Sequence, residues 1–193
     1  MSSSFQKAGK LIIFSAPSGS GKTTLVRHLL STDLPLQFSI SATCRPPRGQ
    51  EVDGRDYYFM SHAEFEQKIA EKAFLEWEEV YENCLYGTLR EEVQRIWNKG
   101  YQVIFDMDVV GGLRLKAKFG ESALAIFVKS PNLQTLEQRL RGRGTDSEHK
   151  IKQRLEKAQR ELKRAGEFDH ILINENLEKA KRESEQLVRQ FLK

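Results

Sequence analysis

The sequence predicts an α/β fold built on a parallel sheet flanked by helices. Apolar runs of the kind that form buried parallel strands recur at Leu11–Ser15 (LIIFS), 103–105, 124–128 and His170–Ile173. Segments with helical periodicity separate them, at 23–30, Val109–Phe119, 133–140, 148–165 and Leu177–Leu192. The first run passes into the first helix through a small, glycine-rich turn. Strands alternating with helices imply crossover units and a sheet covered on both faces.

Two stretches interrupt this rhythm. Residues 34–91 read as an insertion with its own small lobe, carrying a short strand at 57–60 and a helix at 62–71. It is too long for a plain surface loop. Residues 141–149, rich in glycine and charge between two helices, have the composition of a mobile flap. The core is then expected at 1–33 and 92–193.

Composition narrows the function. The 193 residues carry 31 Lys plus Arg against 27 Asp plus Glu, a formal charge of +4. That mild excess suits a nucleotide-sized polyanion, and no long basic tract argues for DNA or RNA. Cys44 and Cys84 lack metal-ligand spacing and read as lone thiols, a single disulfide being the alternative; the scattered histidines form no ligand pair. The polar start lacks an apolar signal core, and no stretch reaches the roughly 20 apolar residues of a membrane span. A soluble, cytoplasmic protein without membrane partners is expected.

The turn Ala16-Pro17-Ser18-Gly19-Ser20-Gly21-Lys22-Thr23 fits G-x-x-x-x-G-K-[ST] except that Ala16 replaces the first glycine. Gly19 and Gly21 let backbone N–H groups form an anion nest, and the following helix adds its positive end. Residues Ala16 to Thr24 are therefore the expected ATP phosphate site, with Lys22 on the β/γ-phosphates and Thr23 offering a hydroxyl to Mg²⁺. Asp106, after an apolar strand, is the candidate acidic partner of the metal, directly or through water. In the insertion, Ser41, Arg45, Arg48 and Tyr57 could grip a second phosphate through guanidiniums and a phenol; a basic surface loop is the alternative.

Several widely spaced segments carry a family resemblance: SAPSGSGKTT, SATCRPPRGQEVDGRDYYF, FLEWEEV, YGT, FDMDVVGG, RLRGRGTD and INENLEKA. The chain resembles guanylate kinase from Leu11 to about Phe191. The resemblance implies a P-loop kinase core, a GMP-binding lobe at 34–91 and a lid at 141–149 that close over both substrates. It implies transfer of the ATP γ-phosphoryl to GMP with Mg²⁺. By position, Arg45, Arg48, Tyr57 and Tyr86 would hold the GMP phosphate, while Ser41, Glu76, Thr88 and Asp108 would read guanine. Carboxylates suit its N1–H and N2–H₂ donors and hydroxyls its O6 acceptor. Arg139, Arg143 and Arg154 would act on the transferring phosphoryl, with Arg141 either joining them or facing solvent. Asn174 would lie near the adenine, or it or Asn176 would cap the last helix.

This chain departs from the family pattern at Cys44, where Thr is common, and in a stretch between Glu76 and Tyr86 one residue longer than usual. Competing readings are a non-catalytic interaction module of the same fold and a kinase with another phosphate acceptor. The intact Gly21-Lys22-Thr23 argues against the first, and the guanine-reading set against the second. Oligomeric state is open.

Overall fold

The computed structural model describes residues 8–81, 83–142, 144 and 147–193. Its strands and helices run β1 (Leu11–Ser15), α1 (Lys22–Leu30), β2 (Leu36–Phe38), β3 (Ala42–Thr43), β4 (Tyr58–Phe59), α2 (His62–Ala70), β5 (Phe74–Tyr81), β6 (Cys84–Leu89), α3 (Arg90–Asn98), β7 (Gln102–Met107), α4 (Val109–Phe119), β8 (Ala123–Lys129), α5 (Leu133–Arg141), α6 (Glu148–Leu162), β9 (His170–Ile173) and α7 (Leu177–Leu192).

The chain divides into two compact units. One comprises Lys10–Leu36 and Ile104–Lys193; the other comprises Gln37–Val103 with Ala8 and Gly9. The sequence predicts the lobe at 34–91, whereas this second unit extends through α3 into β7. A buried carboxylate, Glu92, accounts for α3: it accepts hydrogen bonds from the Ile40 N–H and the Tyr58 hydroxyl at 3.2 and 2.9 Å.

A five-stranded sheet runs in the order β2-β7-β1-β8-β9, with β1 and β9 both parallel to β8. All five residues of β1 are buried, as are the first six of β8, so these apolar runs form the centre of the core. Helix starts follow local chemistry. Asn132, Ser147 and Asn176 each accept a first-turn N–H and begin α5, α6 and α7. Gly112 lets α4 lie close on β1, since a Cβ there would meet the Ser15 hydroxyl at 2.4 Å. The predicted helix at 148–165 ends earlier, at Leu162, and Ala165–Glu167 form a separate 3₁₀ turn.

The second unit holds a four-stranded sheet, β4-β3-β6-β5, only one strand of which the sequence predicts. Its core is Ala42, Phe65, Phe74, Leu85 and Leu89, with the Phe65 and Phe74 rings stacked 4.4 Å apart. A capping box between Ser61 and Glu64 starts α2. Cys44 and Cys84 are free thiols.

Candidate active site

From the end of β1 the chain turns through Ala16–Gly21 into α1. Gly19 (φ 94°) and Gly21 (φ 87°) take the left-handed conformation that glycine adopts without penalty. Ala16 is not among the residues at positive φ, so the missing first glycine of the motif is no obstacle. Gly21 is the N-cap of α1 and has no side chain to cap it. The leading N–H groups of the helix therefore remain available to an anion, where the helix dipole favours negative charge.

Lys22 and Thr23, the first residues of α1, both turn to Asp106 near the end of β7. The Lys22 ammonium pairs with Asp106 Oδ1 and also donates to the Met107 carbonyl at 3.0 Å; the Thr23 hydroxyl donates to Asp106 Oδ2 at 2.6 Å. Asp108, two residues on, is the N-cap of α4. Its Oδ1 accepts from the N–H groups of Val110 and Gly111 at 2.7 and 3.1 Å, and its carbonyl accepts from the Ser15 hydroxyl at 3.0 Å. One oxygen of this sequence-predicted guanine reader is thus engaged by a helix start.

The expected lid arginines have distinct surroundings. Arg154 of α6 donates to the Ser18 hydroxyl of the phosphate loop at 2.6 Å. Arg139 of α5 donates to the Asn174 carbonyl at 2.9 Å and, more weakly, to the Ser130 hydroxyl at 3.4 Å. Arg141 is bound by Glu137 and Glu148, both partly or largely exposed. Arg143 lies outside the described residues. Asn174 is only 4% exposed, and its amide donates to the Ser20 carbonyl at 2.8 Å. The side chain expected near an adenine gives an amide N–H to the loop backbone, while the cap of α7 belongs to Asn176.

In the other unit, Arg45 leaves the end of β3 and is 6% exposed. Its guanidinium carbon sits 4.8 Å from the Tyr57 ring centroid and 6.0 Å from that of Tyr86, and its Nε donates to the Tyr86 hydroxyl at 2.9 Å. Burial pushes the Tyr57 phenol up from its ordinary pKa, so it stays a hydroxyl donor at neutral pH. Arg48 is exposed. Ser41, half-buried just before β3, anchors β4 by accepting the Tyr58 N–H at 2.9 Å through its carbonyl.

Glu76 on β5 stands directly opposite Thr88 on β6, and the Thr88 hydroxyl donates to Glu76 Oε1 at 2.7 Å. A register shift between Glu79 and Tyr81, next to the hairpin turn, sets two residues of β5 against one of β6. It leaves the Glu76–Thr88 pairing intact. A carboxylate only accepts, so the Thr88 proton is committed to Glu76 and the free side of the hydroxyl is an acceptor.

Sequence reasoning missed two acids. Glu51 forms a bidentate pair with Arg45, at 2.6 and 2.8 Å, and also accepts the Arg48 N–H at 2.8 Å. The Arg45 hydrogen bond, followed by that from Arg48, holds its pKa down to about 2. Glu92, 2% exposed, is gripped by the Arg95 fork at 2.7 and 2.8 Å. Burial opposes its charge, but Arg95, the Ile40 N–H and the Tyr58 hydroxyl outweigh that and keep its pKa below the usual value. Glu51 lies within the SATCRPPRGQEVDGRDYYF segment, but nothing in its spacing singles it out from the other charges there, and Glu92 looks like any polar position of an amphipathic helix until the fold buries it.

A glycine nest at a helix start, a lysine and a threonine facing a strand-end aspartate, and a central parallel sheet define a P-loop nucleotide-binding protein. The family model described as guanylate kinase matches residues 8–191. Guanylate kinase of Bacteroides thetaiotaomicron is 50% identical over 97% of this chain and 92% of its own length. That of Porphyromonas gingivalis is 48% identical over 95% of this chain and 98% of its own. Among solved structures, guanylate kinase from Anaplasma phagocytophilum superposes with a TM-score of 0.74 at 26% identity, covering 97% of this chain and 88% of that one. The chain belongs to the guanylate kinase family.

Proposed function

We propose that the protein transfers the γ-phosphoryl of ATP to GMP, giving ADP and GDP. The observation that carries this reading is the convergence of the Lys22 ammonium and the Thr23 hydroxyl on Asp106, beside the phosphate loop. Transfer breaks the bond between the γ-phosphorus and the β,γ-bridging oxygen and forms one to a phosphate oxygen of GMP. That oxygen is already anionic, so no general base is needed. The chain's task is to position the partners and stabilise equatorial charge.

On the donor side, the N–H groups at the start of α1 and Lys22 would bind the β- and γ-phosphates. The Thr23 hydroxyl and the Asp106 carboxylate are all-oxygen donors brought within hydrogen-bond distance of each other, which suits Mg²⁺. Among the described residues no cluster of three or more His, Cys, Asp or Glu could hold a metal by itself. That agrees with an ion shared with substrate phosphates. When bound, the ion would neutralise charge on the triphosphate. Arg154, already at Ser18, and Arg139 supply cations on this side, and Arg143 is assigned with them by position in the family.

On the acceptor side, Arg48, Arg45, Tyr57 and Tyr86 would hold the GMP phosphate. Glu76 would accept from the guanine N1–H and N2–H₂. The Thr88 oxygen, with its proton committed to Glu76, suits a base N–H better than O6, which leaves Ser41 as the donor to O6. Asp108 Oδ2, outside the α4 cap, is the remaining candidate for the 2-amino group. Adenine lacks that amino group and would leave the carboxylates unpaired, a mismatch worth up to about 10⁴-fold in discrimination.

An ADP-release assay with GMP, AMP, CMP and UMP tests the reading. ADP formation above the ATP-only rate is expected with GMP and at most marginally with the others. GMP giving no more ADP than ATP alone sinks it.

A further inference from the structure

We propose that Glu51 is a positioning residue for the acceptor phosphate: it fixes the Arg45 guanidinium and the Arg48 backbone in one arrangement, so that Arg48 and the Tyr86 hydroxyl are presented to the anion. The proposal rests on the acceptor-side reading above and assigns a role to a residue that does not itself bind substrate.

Arg45 is buried among aromatic rings, with Phe59 at 5.6 Å adding to Tyr57 and Tyr86. A guanidinium removed from water in this way needs a paired charge to stay there. Glu51 provides it with fork-to-fork geometry, which sets the plane of the group as well as its charge. The donor inventory then closes on itself. Nε serves Tyr86, Nη1 serves both the Pro46 carbonyl and Glu51, and Nη2 serves Glu51, leaving a single Nη2 N–H.

Two consequences reach the anion. The Tyr86 oxygen accepts from Arg45 Nε, so its own proton is free to be donated, and the adjacent cation strengthens that donor. Through Oε2, Glu51 also accepts the Arg48 N–H at 2.8 Å, and so sets the backbone from which the exposed Arg48 side chain departs. One carboxylate therefore orders a locked arginine, a phenol and the root of a second arginine. An ordinary surface ion pair would be worth little, but here one partner has left water.

The test measures Glu51→Gln and Glu51→Asp in the full chain, by calorimetric binding of GMP and of guanosine, and by KM for GMP and ATP. Glu51→Gln should weaken GMP binding and raise its KM by about tenfold or more, the scale of losing one partner of a buried charge pair. Guanosine affinity and the KM for ATP should stay unchanged, and Glu51→Asp should fall between. Equal loss for GMP and guanosine would mean general damage to the unit and overturn the proposal. Tighter GMP binding would show that Glu51 competes with the phosphate, and no change would remove it from the site. If the wild type does not prefer GMP to AMP, it is the acceptor reading that fails. Inorganic pyrophosphate then probes the same cradle: weaker binding in Glu51→Gln is expected, and equal binding overturns the proposal.

Discussion

The amide of Asn174 donates to the Ser20 carbonyl at 2.8 Å and fills the space that Gly21 leaves open; a Cβ on Gly21 would lie 2.2 Å from that amide nitrogen. The residue that follows β9 thereby holds the phosphate loop, and its carbonyl holds Arg139 as well. Replacing Asn174 by Leu should cost about 1–3 kcal/mol of loop ordering, since the Ser20 carbonyl loses its partner beside a buried site. The expected outcome is a raised KM for ATP, raised equally for triphosphates with another base because the contact is to the loop. A loss confined to ATP would instead place Asn174 on the adenine.

Thr23→Val keeps the side-chain volume but removes the hydroxyl that meets Asp106. Transfer rate should fall by about 10²-fold, within the range seen when one preorganised polar contact is deleted. Raising the concentration of the divalent cation should recover part of it. Lys22→Met should fall further with no such recovery. Rates measured against cation concentration for both variants check the difference, and identical cation dependence would separate Thr23 from the metal.

The Glu51 carboxylate, held down to about 2, links stability to acid. Its folded pKa is depressed, so its contribution is fully present above its ordinary value of 4.5 and is lost as pH falls from there towards about 2. Melting temperature followed across that window should fall less steeply in Glu51→Gln than in the wild type. Parallel curves would show that the Arg45 pair contributes nothing to the acid limb.

Glu92→Ala should destabilise the unit built on β3–β6 by about 2–3 kcal/mol, the scale of hydrogen bonds to a charged group when one partner is removed. Arg95 can reach solvent, but the Tyr58 hydroxyl and the Ile40 N–H cannot easily be repaired. Denaturant unfolding measures the loss. The affinity for ATP should not change, because the phosphate loop belongs to the other unit; a matching loss of ATP binding would contradict that separation.

Most of the central sheet was legible in the sequence, because β1 and β8 are buried continuously and buried parallel strands read as unbroken apolar runs. The phosphate loop was legible for a different reason: its chemistry is local, requiring glycine, lysine and threonine at fixed spacing. The sheet of the second unit was mostly hidden. Strands of two residues, such as β3 and β4, carry no periodicity, and β5 shifts register twice. Helix α3 has the pattern of any amphipathic helix, and that pattern does not show that its Glu92 meets the Ile40 N–H and the Tyr58 hydroxyl.

By itself the sequence determined which groups this protein can offer: an anion nest, Lys22, Thr23, Asp106, a set of arginines, and Glu76. Tertiary structure alone decided how they are paired. Glu51 lies six residues from Arg45, yet nothing in the spacing says that its carboxylate meets the guanidinium fork; the fold buries Arg45 and so requires a counter-charge. The proton of Thr88 goes to Glu76 because a β-ladder sets them opposite each other across twelve residues of chain. Asn174 reaches the phosphate loop from 154 residues away because parallel strands end side by side. Residue type and local spacing are written in the chain; hydrogen-bond partners that meet only once apolar strands and helices have packed are not.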